Sequence, residues 1–320
     1  MPYSHHSHSG QFCKHAAGTL EDVVLEAIKQ GFEVYGLTEH VPRWRLKDLY
    51  PEEEGTSIKE LAVQFDQFIA EAHRLKQLYA DRITLLVGLE TEFITKVDLD
   101  NLEKLLQRYR ANIEYVVGSV HHIQEVPIDF SRETYEEAIA KFGGELDPSP
   151  SVPFIQMEVF LGEYFDGQYK IIERFRPEVI GHIDLCRLYN PTLKLEPYHL
   201  AWSKLQRNIR FAVSYGALFE CNAAALRKVW DTCYPGEDVA RLIMKEGGRF
   251  CLSDDSHGPH AVGLNYGRMA NYLRRIGVSE LWVLERSETA NAGGRFVCPR
   301  KVEGQWWEHS FWQQTGVSLQ

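Results

Sequence analysis

The chain has 320 residues, of which 44% are hydrophobic and 25% charged, a globular balance with room for one large α/β barrel or two ordinary domains. Its formal net charge of -10 disfavours a general nucleic-acid or anionic-membrane surface, which needs a positive field, but leaves room for a locally positive pocket that takes a small phosphate ester. No apolar run approaches the roughly 18 residues of a membrane span, and Met1-Pro2-Tyr3-Ser4-His5 lacks the basic-then-apolar pattern of a secretory signal. Six scattered cysteines (Cys13, Cys186, Cys221, Cys233, Cys251, Cys298) form no C-x-x-C pair and read as reduced thiols of a cytoplasmic protein.

Along the chain, a short N-terminal strand leads into His6. Thr19 is positioned to cap a helix whose first turn carries Glu21 and Asp22 and whose apolar face is Val23, Val24, Ala27 and Ile28, with Gly31 as its stop. A strand over 34–38 then ends in Glu39-His40. Leu61, Phe65, Phe68, Ile69, Ala72 and Leu75 recur at three and four, predicting an amphipathic helix over 57–79. The strand 83–89 ends at Glu90. After a helix over 100–109, the strand 115–120 ends at His121. Residues 142–153, with a Gly-Gly pair and three prolines, read as a long loop. A helix over 159–175 precedes the strand 179–181, which ends at His182; a helix over 198–215 precedes the strand 217–221, which ends at Asn222. A helix over 239–246 precedes the strand 250–253, which ends at Asp254, Asp255 and His257.

Seven short strands alternating with helices predict a parallel α/β fold. Polar, ligand-capable residues stand at the C-terminal end of nearly every strand, where a closed barrel builds its active site; an open sheet concentrates ligands at one switch point. A single barrel domain over 1–320 is therefore expected, with 284–320 as a tail packed on it. Within that tail 287–294 read as a polar surface loop, and the Trp306-Trp307 and Phe311-Trp312 pairs as its apolar contact.

Imidazole and carboxylate together suit zinc, iron or manganese. Because a strand turns alternate residues to one face, His6-Ser7-His8 and Asp255-Ser256-His257 can each aim two side chains at one ion. Glu90 has two oxygens with which to bridge two ions, and His15, His40, His121 and His182 complete the set; His122 competes with His121. Singly, each has an ordinary explanation: a solvated carboxylate at Glu90, a helix cap at Asp254 or Asp255, a satisfied strand-end histidine at His40. Jointly, their serial placement at strand ends points to a metal centre. His73, His199 and His309 fall outside the pattern and read as packing or surface residues, and Glu92 reads as a solvated loop carboxylate.

In this order, Ser4-His5-His6-Ser7-His8-Ser9 with His15, Leu37-Thr38-Glu39-His40, Gly88-Leu89-Glu90, Gly118-Ser119-Val120-His121, Gly181-His182-Ile183-Asp184 and Ser253-Asp254-Asp255-Ser256-His257 resemble the motifs of the polymerase-and-histidinol-phosphatase (PHP) superfamily. The resemblance implies a distorted (β/α)7 barrel holding two or three divalent ions (Zn, Fe or Mn). It assigns His6, His8, Glu90 and Asp255 to a first ion, Glu90, His121 and His182 to a second, and His15, His40 and His257 to a third. An amidohydrolase barrel also opens with H-x-H, but that family commonly bridges its ions with a carbamylated lysine, where this chain has Glu90. Within PHP, the segment from Glu220 to Arg227 (Glu-Cys-Asn-Ala-Ala-Ala-Leu-Arg) resembles the fungal-type histidinol-phosphatase branch, with alanines replacing its Thr and Gly. That likeness implies hydrolysis of L-histidinol phosphate. Arg187 and Arg227 are then expected to grip the phosphate. Asp255 and His257, with His122 and Asp254 as alternatives, are the expected proton donors to the leaving group, and Trp44, Tyr164 and Tyr189 the candidate holders of the imidazole end.

Overall fold

The computed structural model describes residues 2–143, 152–228 and 230–314. Seven parallel strands form one sheet in chain order: β1 (Tyr3–Ser4), β2 (Val34–Leu37), β3 (Thr84–Glu90), β4 (Tyr115–Gly118), β5 (Val179–Ile180), β6 (Leu218–Asn222) and β7 (Arg249–Ser253). The first and last strands meet. His5 N donates to Leu252 O at 3.2 Å, and just beyond, Ser7 and His8 pair in parallel with Ser256 and His257. The sheet is thereby a nearly closed barrel, in agreement with the strand count and order read from the sequence. Buried strands of this kind need no alternation, and β3 and β4 are indeed apolar almost throughout.

Helices cover the strands: α1 (Leu20–Lys29), α2 (Ile58–Leu78), α3 (Lys96–Arg108), α4 (Arg132–Ala140), α5 (Val152–Phe175), α6 (His199–Ser214), α7 (Glu237–Lys245) and α8 (Tyr266–Ile276). Thr19 caps α1 as expected, its side chain accepting from Asp22 N while the Asp22 carboxylate accepts from Thr19 N. Ser57 and Glu60 do the same for α2, whose predicted stripe from Leu61 to Leu75 is buried. The expected loop over 142–153 lies mostly outside the described residues, but Val152 and Pro153 already open α5; proline is tolerated in a first helical turn, where its missing N–H would be unpaired anyway. The sequence pattern did not show α4 or α8, nor the antiparallel hairpin β8 (Trp282–Arg286) with β9 (Val297–Lys301). Beyond the hairpin, Trp306 and Trp312 are buried in the same apolar cluster as the barrel strands.

Two glycines make room for one aromatic ring. A Cβ on Gly36 would meet Tyr115 Oη at 1.9 Å, and one on Gly88 would meet the same ring at 2.7 Å. The ring fills that space and its hydroxyl donates to His5 O at 2.8 Å, which fixes the backbone beside His6.

Candidate metal centre and active site

The strand ends converge on Glu90. His6 Nε2, His121 Nε2 and His182 Nε2 stand 3.2, 3.2 and 3.0 Å from its Oε1. His8 Nε2 and His40 Nδ1 stand 3.3 and 2.9 Å from its Oε2. Asp255 Oδ1 faces His8 Nε2 at 3.5 Å and His6 Nε2 at 3.8 Å, and the Nε2 atoms of His6 and His8 lie 3.1 Å apart. The alternation argument for H-x-H therefore holds, and His5 goes the other way: its Nε2 accepts from Leu284 N on β8 at 3.0 Å. Burial lowers the His5 pKa to about 3, so it is neutral and free to accept.

These spacings fit shared cations. Tetrahedral bonds of about 2.0–2.1 Å to nitrogen and oxygen set ligand–ligand edges of about 3.3 Å, close to the 3.0–3.3 Å found around Glu90. His40 Nε2 is buried without a hydrogen-bond partner among the described residues, a costly state unless a ligand completes it. Burial would raise the Glu90 carboxyl, but the surrounding imidazoles, His6 first, hold it well below the usual carboxylate range. Four sets of donor atoms lie close enough to share an ion: His6, Glu90 and His182; His6, His8 and Asp255; His8, His40 and Glu90; and Cys13, His15, His40 and His257. Between His121 and His122 the geometry separates the two. His121 meets Glu90, whereas His122 turns its Nδ1 to Glu92 Oε2 at 3.1 Å.

Above the cluster opens a cavity of about 300 Å³. His15, His40, Glu90, His121, His182, Asp255 and His257 line it, joined by Arg227, Lys228, Asp129, Glu52, Tyr50, Phe130, Leu185 and Tyr234. Arg227 spends one of its five donors on Asp255 O at 2.8 Å. Arg187 does not reach the cavity, which corrects its expected role. It is 2% exposed, and its five N–H groups go to Asp184, Asp238 and the Leu193 carbonyl at 2.6–3.1 Å. A guanidinium committed on every donor has none left for phosphate. Trp44, Tyr164 and Tyr189 are likewise absent from the lining, where Tyr50, Phe130 and Tyr234 stand instead. Asp254 is sealed below, bonded to Ser4, Tyr35, Ser256 and Gly263. His260 is exposed, and His73 bonds the Asn112 carbonyl away from the site.

Comparison with known proteins bears on this geometry directly. The sequence profile of the PHP domain matches residues 4–224. The chain belongs to the PHP family. Among its PHP relatives, a "Probable histidinol-phosphatase" of Schizosaccharomyces pombe is 44% identical over 96% of this chain and 96% of its own length. The "Histidinol-phosphatase" of Saccharomyces cerevisiae is 31% identical over 85% of this chain and 88% of its own. The solved histidinol phosphate phosphatase of Lactococcus lactis, a complex with zinc, L-histidinol and phosphate, shares the fold with a TM-score of 0.62 at 19% identity, over 92% of this chain and 98% of that one.

Around the PHP cluster stand three buried carboxylates that the sequence reading did not place there. Glu220 Oε2 meets His6 Nδ1 at 3.1 Å, and its Oε1 accepts from His182 N at 2.6 Å. Glu92, expected in solvent, is 3% exposed and meets His121 Nδ1 at 3.0 Å. Glu39 accepts from Ser9 N and Oγ at 2.8 and 2.7 Å and faces His8 Nδ1 at 3.5 Å. Each stands behind an imidazole of the cluster, Glu92 behind His121 and His122 together, where a carboxylate orients the ring and would raise its basicity toward a cation. Glu39 and Glu92 carried a signal, since both sit beside strand-end ligands. Glu220 had a weaker one, a charged residue inside an apolar strand.

Proposed function

We propose that this chain hydrolyses L-histidinol phosphate to L-histidinol and phosphate with divalent cations in the cluster. The observation that carries the reading is Glu90: one buried carboxylate whose two oxygens face separate groups of imidazoles at the floor of a cavity that also presents Arg227 and Lys228. The identity of the substrate comes from the relatives named above. We assign Glu90, His6, His8 and Asp255 to one cation, Glu90, His121 and His182 to a second, and His15, His40 and His257 to a third, with zinc, iron or manganese all compatible with imidazole and carboxylate donors.

Bound there, such cations supply a water acidified toward neutral pH and positive charge against the phosphoryl oxygens. The chain's own residues do the rest. Arg227, with four donors uncommitted among the described residues, and Lys228 face the cavity and neutralise the phosphoryl oxygens as charge builds on them. Asp255 and His257 line the cavity, whereas Asp254 is engaged on both oxygens and His122 is turned away, so the Asp255–His257 pair orients the cavity water that carries the proton to the leaving alkoxide. Asn222 Nδ2 donates to Asp255 Oδ2 at 3.2 Å and His257 Nδ1 lies 3.0 Å from Asp255 O; these contacts hold the pair in place. Asp129 and Glu52 give the cavity a carboxylate side suited to the substrate's ammonium, and the Tyr50 and Phe130 rings, stacked at 6.0 Å, offer apolar walls for its imidazole.

Phosphate release from L-histidinol phosphate, beside nucleotides and p-nitrophenyl phosphate and with and without chelator, tests the reading. A chelator-sensitive preference for histidinol phosphate is expected. Preference for another small ester would retain the metal barrel and discard the substrate, and full activity after metal removal would end the proposal.

A further inference from the structure

The loop after the first strand carries a buried thiol to the outer edge of the cluster. Phe12 N and Cys13 N both donate to Ser9 O, at 3.1 and 2.9 Å, Ala16 N donates to Cys13 O at 3.1 Å, and Ala17 N donates to His257 O at 3.0 Å. Two tight turns are thus tied by the backbone to the end of the last strand. They leave Cys13 Sγ 3.2 Å from His15 Nε2. The His15 ring lies 5.7 Å from that of His40 and 5.1 Å from that of His257. All four residues present donor atoms within 4.8 Å of one another. Cys13 is 5% exposed, and the buried Nε2 of His40 has no hydrogen-bond partner among the described residues. A simple thiol-to-imidazole hydrogen bond would satisfy Cys13 and His15 but leave that nitrogen orphaned and three rings crowded round one point.

We propose that Cys13 is a fourth ligand of the outer cation and, with His15, His40 and His257, forms a site of one sulfur and three nitrogens that selects zinc. The inference rests on the divalent-cation reading above and goes beyond it by naming a donor of different chemistry. Bonds of about 2.3 Å to sulfur and 2.0–2.1 Å to nitrogen set a sulfur–nitrogen edge of about 3.6 Å, a few tenths from the one observed. On loading, the S–H bond breaks, its proton passes to solvent and a sulfur electron pair forms the bond to the cation. Sulfur is a soft donor and favours zinc over manganese or magnesium, while the inner groups offer only imidazole and carboxylate, which also accept iron and manganese. One chain would then carry sites of two different preferences a few ångströms apart.

The test uses the full-length protein, stripped with chelator and reloaded with Co(II). The loaded wild type is expected to show a near-ultraviolet sulfur-to-cobalt charge-transfer band, and the zinc-loaded protein one sulfur scatterer at about 2.3 Å in X-ray absorption. Cys13→Ser and Cys13→Ala should lose both signals. Cobalt uptake without the band overturns the thiolate and leaves the metal reading intact. A band undiminished in both variants overturns it as well, by assigning the sulfur elsewhere. Failure of the stripped chain to take up any cobalt would remove both readings together. None of these outcomes depends on turnover, so a chain inactive on histidinol phosphate would still decide the identity of the ligand.

Discussion

At the scale of single residues, the two arginines make opposite predictions. Arg227→Ala removes a cavity donor and should lower kcat/KM by about 10²- to 10³-fold with metal content unchanged. Arg187→Ala leaves Asp184 and Asp238 buried without their cation and should cost about 3–5 kcal/mol of stability, read as a lower denaturation midpoint. A native-like midpoint would show that the Arg187 network carries no weight. Glu220→Gln keeps the shape but weakens the acceptor behind His6; a drop of about 10- to 100-fold in metal affinity is expected by titration. These contrasts also show what was legible. His6, His8, Glu90, His182 and Asp255 could be read because strand periodicity and strand ends are local facts. The destination of Arg187 could not, because it depends on Asp238, which is 51 positions away. Choosing His121 over His122 required the exact place where β4 ends, and a one-residue shift reverses which ring turns inward.

At the scale of elements, the barrel's order was readable because each strand is short, apolar and followed by a polar end, and α1 and α2 were readable from their caps. The hairpin β8–β9 was not, since Trp282–Arg286 and Val297–Lys301 are mixed in character and acquire strand structure only by pairing with each other. Tyr115 and its two glycines make a prediction of the same kind. Gly36→Ala should cost about 1–3 kcal/mol or more through overpacking against Tyr115. Tyr115→Phe in the same chain removes the hydroxyl the new Cβ strikes and should recover part of that loss. Chemical denaturation of the two single variants and the double one checks this, and strict additivity would mean that the contact does not limit the packing.

For the whole molecule, a cation bound in the cluster would tie stability to pH. Imidazole binds a metal only when neutral, so falling pH makes protons compete for His6, His8, His40, His121 and His182, and retention should fall on the acid side. Dialysis across a pH series, followed by metal analysis and thermal melting, should show metal content and Tm declining together as pH drops. A Tm unchanged by chelator at neutral pH would argue against any link between loading and folding.

The seam between the first and last strands gives that link a direction in time. Ser4 and Asp254, 250 positions apart, are hydrogen-bonded, and His8 pairs with His257 just beyond. During synthesis the first histidines emerge long before their partners, so a nascent chain exposes half a binding site with nothing opposite it. A cation captured early would have to wait for, or be exchanged at, the arrival of the last strand. Closing the seam brings the two halves of the cluster together, and a cation bound across it would fasten the first barrel strand to the last.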